Sequence, residues 1–457
     1  MGFINVSQTI DDSKLNRFHK ALIFWCFLII VFDGYDSVIY GSSVPLLMKE
    51  WSLTPITAGA IGSYTAIGTA IGAILCGVAA DKIGRKKVIL YCVLVFSLFT
   101  ALAGLANDPT FFTVFRVIAG LGLGGVMPNV IALTADYAPR MIRNALVSFV
   151  FCGYSIGAVL AALVSKSLLP TVGWKPVFWI AAIPLVFLPI LAKTLPESIS
   201  ILLAKMKREE LQAVLSKANP TYRAGKNDEF EKLKEKDAGS PVAKLFENKR
   251  TVSTLMFWIC FFSAFVLIYA MNTWLPKLMI NAGYDLGSSL MFVVALNLGA
   301  IIGTITLGKL TDKMGFKKVL VPLYAAGGIA MFLLGYKTNI AIIYILIAII
   351  GAASVGAQNI ANAYVSEFYP MQMRSTGLGA AFGFGRIGGI VAPTLVGVLL
   401  ALNYSLQLNF VIIGMAGVIA AIATLFVQEK HGGTSENESR YKESAELKAG
   451  LEQPAGR

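Results

Sequence analysis

The chain has 457 residues, of which 56% are hydrophobic and only 14% are charged, and its formal net charge is +13. A soluble globular protein carries about 25% charged residues, so this composition excludes that class and predicts a membrane protein. The basic residues stand in short clusters between apolar runs, which argues against a nucleic-acid-binding protein.

Twelve apolar segments are long enough to cross a bilayer as α-helices, since about 20 residues span its hydrocarbon core. They are predicted at residues 21–43, 54–80, 87–107, 110–134, 144–166, 173–194, 252–276, 286–311, 318–337, 339–365, 375–401 and 408–427. We therefore expect an all-α membrane protein with twelve transmembrane helices in two pseudo-symmetric six-helix bundles. The predicted domains are a segment 1–20, a bundle 21–195, a linker 196–250, a bundle 251–427 and a tail 428–457.

The predicted linker is rich in Lys and Glu, with helix-forming stretches near residues 206–215 and 230–236, and the polar tail is predicted to be disordered. Lys and Arg cluster before the first span and in alternate loops, namely Lys14, Arg17, Lys20, Lys82, Arg85, Lys86, Lys87, Arg140, Arg143, Lys309, Lys313, Lys317, Lys318 and Arg374. By the positive-inside rule, this pattern predicts that both termini are cytoplasmic. The predicted location is a bacterial plasma (inner) membrane.

The two halves repeat each other at one constant offset. The run GVAADKIGRKK at residues 77–87 returns as GKLTDKMGFKK at residues 308–318, and Asp136 and Arg143 return as Glu367 and Arg374. Every matched residue lies 231 positions after its counterpart. The chain is therefore predicted to be a duplicated six-helix unit of parallel orientation, an arrangement of transporters whose substrate site lies between the halves.

Two acidic residues, Asp33 and Asp36, lie within the first predicted span. A carboxylate at that depth costs about 2.5–3.5 kcal/mol on insertion scales, and residues three apart share one helix face. The functional hypothesis is that both acids carry protons, and the alternative is a structural salt bridge in the bundle. Asp36 and Arg116 lie at similar depth in their helices, so we predict that they pair.

The intramembrane charges are absent from the opposite half. When the two halves are aligned at the 231-residue offset, Asp36 aligns with Leu267, Arg116 with Ile347 and Arg386 with Ser155. These charged residues are therefore not part of the scaffold that the halves share. Arg386 lies midway along the eleventh span, where a guanidinium can bind a carboxylate through two hydrogen bonds. Arg116 and Arg386 are therefore candidate substrate-binding residues, and a structural ion pair is the alternative for each.

Polar and aromatic side chains in other spans could line a cavity and stack on a ring. The candidates are Tyr35, Asn129, Tyr154, Asn272, Gln358 and Asn359. The alternative for each is an interhelical hydrogen bond. The two histidines flank the first and last spans, and the five cysteines are isolated in apolar segments, so no metal site, disulfide or cofactor is predicted.

The repeated loop motif gives the chain its resemblance to the major facilitator superfamily. The DGYD run at residues 33–36, the GLGLGG run at 120–125 with Arg116, and the GRIGG run at 385–389 resemble the aromatic acid/proton symporters, permeases for benzoate and hydroxybenzoates. That resemblance implies a cytoplasmic gate that latches in the outward-open state. The gating candidates are Gly77, Asp81, Gly84, Arg85, Asp136, Arg140, Asp312, Glu367 and Arg374. Gly77 is expected to permit close helix packing, Asp81 to accept hydrogen bonds from the other half, and Arg85 to reach Asp136.

The predicted function is import of a small aromatic carboxylate with protons by alternating access, with the lipid bilayer as surroundings and a monomer as the working form. Uptake of an anion against a negative-inside potential needs a coupled cation, since each net charge is worth about 2.3 kcal/mol per 100 mV. The nearest alternative is a transporter of another solute: a non-aromatic organic acid, a sugar-like polyol or a drug. An integral membrane enzyme and a non-transporting sensor are the alternatives from other classes.

Overall fold

A computed structural model of the chain describes residues 4–223, 225, 228, 230, 242–336, 338–370 and 373–432, without the side chains of residues 144, 312 and 375. Twelve of its helices are long and apolar enough to cross a membrane, as predicted. In chain order they are α1 (Arg17–Glu50), α2 (Pro55–Ile83), α3 (Arg85–Ala103), α4 (Pro109–Tyr137), α5 (Arg143–Val172), α6 (Lys175–Thr194), α7 (Thr251–Asn281), α8 (Leu286–Met314), α9 (Phe316–Leu334), α10 (Ile340–Phe368), α11 (Arg374–Ala401) and α12 (Leu406–Phe426).

Helix boundaries follow from capping and turn residues in the sequence. Asn16, Asp108 and Asp285 accept hydrogen bonds from backbone N–H groups of the first turns of α1, α4 and α8. A single residue, Gly84, separates α2 from α3, and Gly315 separates α8 from α9. Both have positive φ, +107° and +85°, a backbone conformation that glycine adopts without steric cost. The repeated motif therefore builds the same sharp turn in each half.

Among the described residues, three short α-helices lie outside the membrane spans, at Val6–Asp11, Ile199–Ala204 and Arg208–Ala218. The N-terminal helix Val6–Asp11 and the linker helix Arg208–Ala218 are joined by hydrogen bonds, because Asn219 donates to the Thr9 carbonyl at 2.8 Å. The linker helix lies close to the stretch predicted at 206–215. The helix predicted at 230–236, apart from Phe230, and the tail from residue 433 lie outside the described residues.

Each half packs its helices in the same pairs. In the first half α1 packs on α5, α4 on α2 and α3, and α3 on α6. In the second half the equivalent pairs are α7 with α11, α10 with α8 and α9, and α9 with α12. The halves meet through α2 with α11, α5 with α8 and α1 with α7. We call the side where α1 begins and α12 ends the terminus face, and the other side the opposite face.

The halves are joined at the opposite face and separate toward the terminus face. One cluster of buried apolar residues spans both halves and contains the ends of α1 and α7 at the opposite face, including Leu47 and Leu278. Two further clusters, built around Leu133 and Tyr364, each belong to a single half near the terminus face. The space between the halves therefore opens toward the terminus face.

Close backbone contacts seal the opposite face. A Cβ atom on Gly41 would lie 1.9 Å from the backbone oxygen of Asn272, and one on Gly59 would lie 2.4 Å from that of Pro393. The Ser63 hydroxyl donates to the Ile390 carbonyl at 2.5 Å, which links α2 to α11. Such small residues let helix backbones from the two halves approach each other directly.

Candidate functional site

A cavity of about 180 Å³ lies between the two halves at the middle of the helices. It is smaller than the roughly 300–1,000 Å³ typical of drug-sized ligand sites, so it suits a molecule of about one ring. Seven helices contribute to it, namely α1, α2, α4 and α5 from the first half and α7, α10 and α11 from the second. Val355 belongs to the π-helical turn of α10. Its charged lining residues are Asp33, Asp36, Arg116 and Arg386.

Asp36 and Arg116 form a buried ion pair with a third partner. Arg116 Nη1 donates to Asp36 Oδ1 at 2.6 Å, and the Thr100 hydroxyl donates to Asp36 Oδ2. Arg116 Nη1 also lies 3.3 Å from the Thr100 oxygen, and no more than 3% of either charged side chain is exposed. The pairing predicted from helix depth is therefore present, and α3 supplies a hydroxyl that holds it.

Asp33 and Arg386 line the same cavity without forming such a pair. Within the described part of the chain, neither the Asp33 carboxylate nor the Arg386 guanidinium has a hydrogen bond or an ion pair. Asp33 is 6% exposed, and Arg386 is half-buried. The cavity thus offers one anionic and one cationic group whose hydrogen-bonding capacity is free for a ligand or a proton.

Aromatic and amide side chains complete the walls. Tyr154 comes from α5, and Phe265 stacks on Tyr269 of the same helix, α7, with centroids 6.0 Å apart. Gln358 and Asn359 line the wall formed by α10, directly after the π-helical turn Ala352–Gly356. Such turns are frequent at functional sites because they re-aim the side chains that follow.

The amide groups differ in how far their hydrogen bonds are satisfied. Asn272 Nδ2 donates to the Tyr154 hydroxyl at 3.4 Å across the two halves, and Asn359 Nδ2 donates to Thr304 at 3.2 Å. Gln358 Nε2 donates to Asn362, but the buried Gln358 Oε1 accepts no hydrogen bond among the described residues. Gln358 therefore keeps an unused acceptor next to the cavity.

Two of the predicted lining residues lie elsewhere. The Tyr35 hydroxyl donates to the Val177 carbonyl at 2.8 Å and packs against the start of α6, and Asn129 Nδ2 donates to the Gly125 carbonyl one turn earlier in α4. Neither residue lines the cavity. The prediction was wrong for both because each side chain satisfies its polar group within its own half, the interhelical or local alternative.

Three gating candidates of the first half, Gly84, Arg85 and Asp136, lie in a hydrogen-bonded cluster at the terminus face. Arg85 Nη1 contacts Asp136 Oδ2 at 2.7 Å, as predicted, and the Ser198 hydroxyl donates to the same oxygen at 2.7 Å. The Glu197 carboxylate accepts from the Lys86 backbone N–H at 3.1 Å and occupies the space that a side chain on Gly84 would need. This cluster fixes the turn between α2 and α3 to the end of α6.

The second half carries a different arrangement at the equivalent turn. Phe316 takes the place of Arg85 and stacks on Tyr364 with centroids 5.2 Å apart, while Glu367, the counterpart of Asp136, is exposed. The Asp312 side chain lies outside the described residues. An aromatic stack has thus replaced the ion pair.

The remaining gating candidates have no partner across the halves in this conformation. Asp81, Arg140 and Arg374 are exposed, and no side-chain hydrogen bond or ion pair joins them to other described residues. A Cβ atom on Gly77 would meet nothing within 4 Å, so the close packing predicted there is not present. The separation of the halves at the terminus face explains both observations.

Several residues of the site were missed by the sequence interpretation. Thr100 lies in an apolar helix and carries no charge, and Glu197 and Ser198 lie just beyond the sixth predicted span, 173–194. The backbone contacts of Gly41 with α7 leave no signal in one sequence. The only sequence signal for the contact between Thr100 and Asp36 was that the two residues lie at a similar depth in their spans.

Comparison with known proteins agrees with this architecture. The sequence profile described as Major Facilitator Superfamily matches residues 26–393 and, a second time, residues 288–452. A benzoate transport protein of Acinetobacter baylyi is 44% identical over 434 residues, which cover 93% of each chain. A gentisate transporter of Corynebacterium glutamicum is 38% identical, covering 93% of this chain and 92% of that protein. A gallate transporter of Pseudomonas putida is 32% identical, covering 92% and 94%.

Solved structures show the same fold. The crystal structure of a D-xylose–proton symporter superposes with a TM-score of 0.69 at 20% identity, covering 90% of this chain and 98% of that one. A bacterial homologue of the human lysosomal transporter Spinster, solved in an inward-facing and unoccupied conformation, gives a TM-score of 0.68 at 17% identity, covering 92% and 98%. The resemblance stated from the loop and helix motifs is thus confirmed, by a profile that matches residues 26–393 and relatives that cover about nine-tenths of the chain. This multi-pass membrane protein belongs to the major facilitator superfamily.

Proposed function

We propose that the chain imports a small aromatic carboxylate together with protons across a bacterial inner membrane by alternating access. The terminus face is then cytoplasmic, in keeping with the basic residues that flank the spans on that side. The conformation described above is open to the cytoplasm. The observation that carries the proposal is the unpaired Arg386 in an aromatic-lined cavity that also holds an unpaired Asp33.

Arg386 is the residue that binds the substrate carboxylate. A guanidinium binds a carboxylate through two parallel hydrogen bonds, and no acid of the second half is among the described residues that line the cavity. The rings of Tyr154, Phe265 and Tyr269 can then contact the faces and edges of an aromatic substrate. The aromatic specificity is supported further by the benzoate, gentisate and gallate transporters to which the chain is similar.

The two aspartates of α1 have different duties in this proposal. Asp33 exchanges a proton directly with the cavity, because its carboxylate is free of partners. Asp36 is already paired with Arg116 and Thr100 within the first half, so it takes up a proton only when substrate or proton binding breaks that pair. At least one proton per substrate cancels the charge of the carboxylate, which removes the opposing work of about 2.3 kcal/mol per 100 mV.

Uptake into cells that express the protein tests this function. We expect accumulation of labelled benzoate or a hydroxybenzoate, and loss of accumulation when an uncoupler collapses the proton gradient. Asp33→Asn should abolish uphill accumulation and retain substrate exchange across equal concentrations, since binding survives and proton coupling does not. Arg386→Ala should abolish both. Tyr35→Phe, which changes a residue away from the cavity, serves as the control and should retain both.

Other outcomes would replace the proposal. Selective uptake of a non-aromatic acid, a polyol or a cationic drug would assign another substrate class to the same fold. Uncoupler-insensitive uptake, or uphill transport by Asp33→Asn, would remove proton coupling through Asp33. Membership of a superfamily whose matched relatives are transporters favours a carrier over the membrane enzyme and the sensor considered from the sequence.

A further inference from the structure

A second cavity, of about 570 Å³, lies at the terminus face on the outside of the first half. The turn between α2 and α3, the end of α6 and the linker helix enclose it. It shares no lining residue with the cavity between the halves. It is therefore a separate site at the level where the membrane helices end.

Lysines dominate the lining of this second cavity. They are Lys86, Lys87, Lys193, Lys205, Lys207 and Lys217. Only two acids join them: Glu210 forms an ion pair with Lys207 at 2.6 Å, and Glu197 accepts from backbone N–H groups of Lys86 and Ser198. The cavity keeps a formal charge of +4, and most of its lysines are exposed. A site of this kind attracts an anion.

Apolar surface leads from the lysines along the membrane-spanning part of the molecule. Leu90 lines the cavity, and Leu94 and Leu98 follow on the same face of α3, 39% and 38% exposed. On α6, Thr194 lines the cavity and Ile190 and Val186 follow at four-residue steps, 45% and 73% exposed. Because α3 packs on α6, the two apolar stripes run side by side away from one basic pocket.

We propose that this pocket binds the headgroup of an anionic phospholipid, with its acyl chains along the stripes of α3 and α6. Basic pockets where membrane helices end are suited to anionic headgroups. A free phosphate would use the lysines alone, whereas a phospholipid also covers the exposed leucines, isoleucine and valine. The site thus ties the linker helix to the membrane surface, independently of what the transporter carries.

Lipid binding by the purified full-length protein tests the proposal. Native mass spectrometry would compare dioleoyl phosphatidylglycerol with dioleoyl phosphatidylcholine, which has the same acyl chains and no net charge. We expect retention of phosphatidylglycerol by the unaltered protein. The variant Lys193→Gln/Lys205→Gln/Lys217→Gln should bind it about 100-fold more weakly, because each lysine near an anionic surface contributes about fivefold.

Two matched variants distinguish binding at this pocket from a general effect of the protein's positive charge. Lys309→Gln/Lys313→Gln/Lys318→Gln removes three exposed lysines from the same face of the other half and should leave binding unchanged. Replacing Lys193, Lys205 and Lys217 with arginine keeps the charge and should preserve binding. Equal losses in the two glutamine variants, or equal binding of the two lipids, would overturn the proposal. Displacement of phosphatidylglycerol by glycerol 3-phosphate at similar affinity would also overturn it, by assigning the pocket to a soluble phosphate.

Discussion

Replacing Gly41 with alanine should drive the transporter out of the conformation described above. Gly41 of α1 packs against the backbone of α7, where a Cβ atom would lie 1.9 Å from the Asn272 oxygen and 2.9 Å from Thr273 Cα. Ordinary contact begins at 3.4 Å, so the helices would have to separate by about 1.5 Å at this point. The obstructing atoms belong to a helix backbone and cannot rotate away.

The expected change in the ratio of the two conformational states follows from the free-energy cost of overpacking. Inserting a methyl group into a packed interface costs about 1–3 kcal/mol. In the proposed alternating-access cycle the halves separate at the opposite face in the other state, so alanine at position 41 would carry this cost in only one of the two states. The ratio of the states should therefore change about 5- to 150-fold toward the one open at the opposite face.

Distances between spin labels at the terminus face measure this shift. Labels at positions 82 and 313, both exposed and on different halves, should move closer together in Gly41→Ala. Gly77→Ala is the control, because its Cβ atom meets nothing in the present conformation and should bring no new short distance. Gly34→Ala is the second control: it clashes with Tyr154 inside one half, and should lower thermal stability without a shift. Unchanged distances in a stably folded Gly41→Ala would refute the reasoning.

Two further substitutions address the cavity. Thr100→Val should slow transport about tenfold or more, because losing a hydrogen bond to a buried charged group costs about 1.5–3 kcal/mol. Thr100→Ser keeps the hydroxyl and should retain the transport rate. Equal uptake rates for the two variants would contradict a positioning role of the Thr100 hydroxyl. Gln358→Leu should reduce uptake of hydroxybenzoates more than uptake of benzoate, because only a hydroxybenzoate can donate a hydroxyl hydrogen bond to the unpaired Gln358 Oε1. Competition assays with the two acids would measure the change in preference. Equal losses for both acids would exclude a contact between Gln358 and the substrate hydroxyl.

The sequence predicted the scaffold and its charged groups well, for reasons visible in particular residues. The membrane spans could be predicted from the length of the apolar segments. The pairing of Asp36 with Arg116 could be predicted because both lie at a similar depth in their spans, and buried charges of opposite sign stabilise each other. Uncharged polar residues were predicted less well. Tyr35 and Tyr154 look alike in sequence, yet one bonds to the α6 backbone and the other faces the cavity, and only the rotation of each helix decides which.

Contacts between distant segments could not be predicted from one sequence where no pair of opposite charges marks them. Thr100 meets Asp36 because α3 and α1 lie side by side at that depth, and no local pattern records this. The lysine-lined pocket combines residues from three separate segments, of which the linker was interpreted only as a connector. In each case, the signal lies in the spatial juxtaposition of segments that are far apart in the chain.

The replacement of Arg85 by Phe316 at the equivalent turn makes the two halves respond differently to their surroundings. The Arg85–Asp136 pair is 19% exposed on each side chain, so dissolved ions can screen it, with a Debye length of about 10 Å at 0.1 M salt. The Phe316–Tyr364 stack carries no net charge and is insensitive to such screening. Rising ionic strength at the terminus face would therefore weaken the Arg85–Asp136 contact and leave the Phe316–Tyr364 stack unchanged, so the two pseudo-equivalent turns of a duplicated fold respond differently to salt.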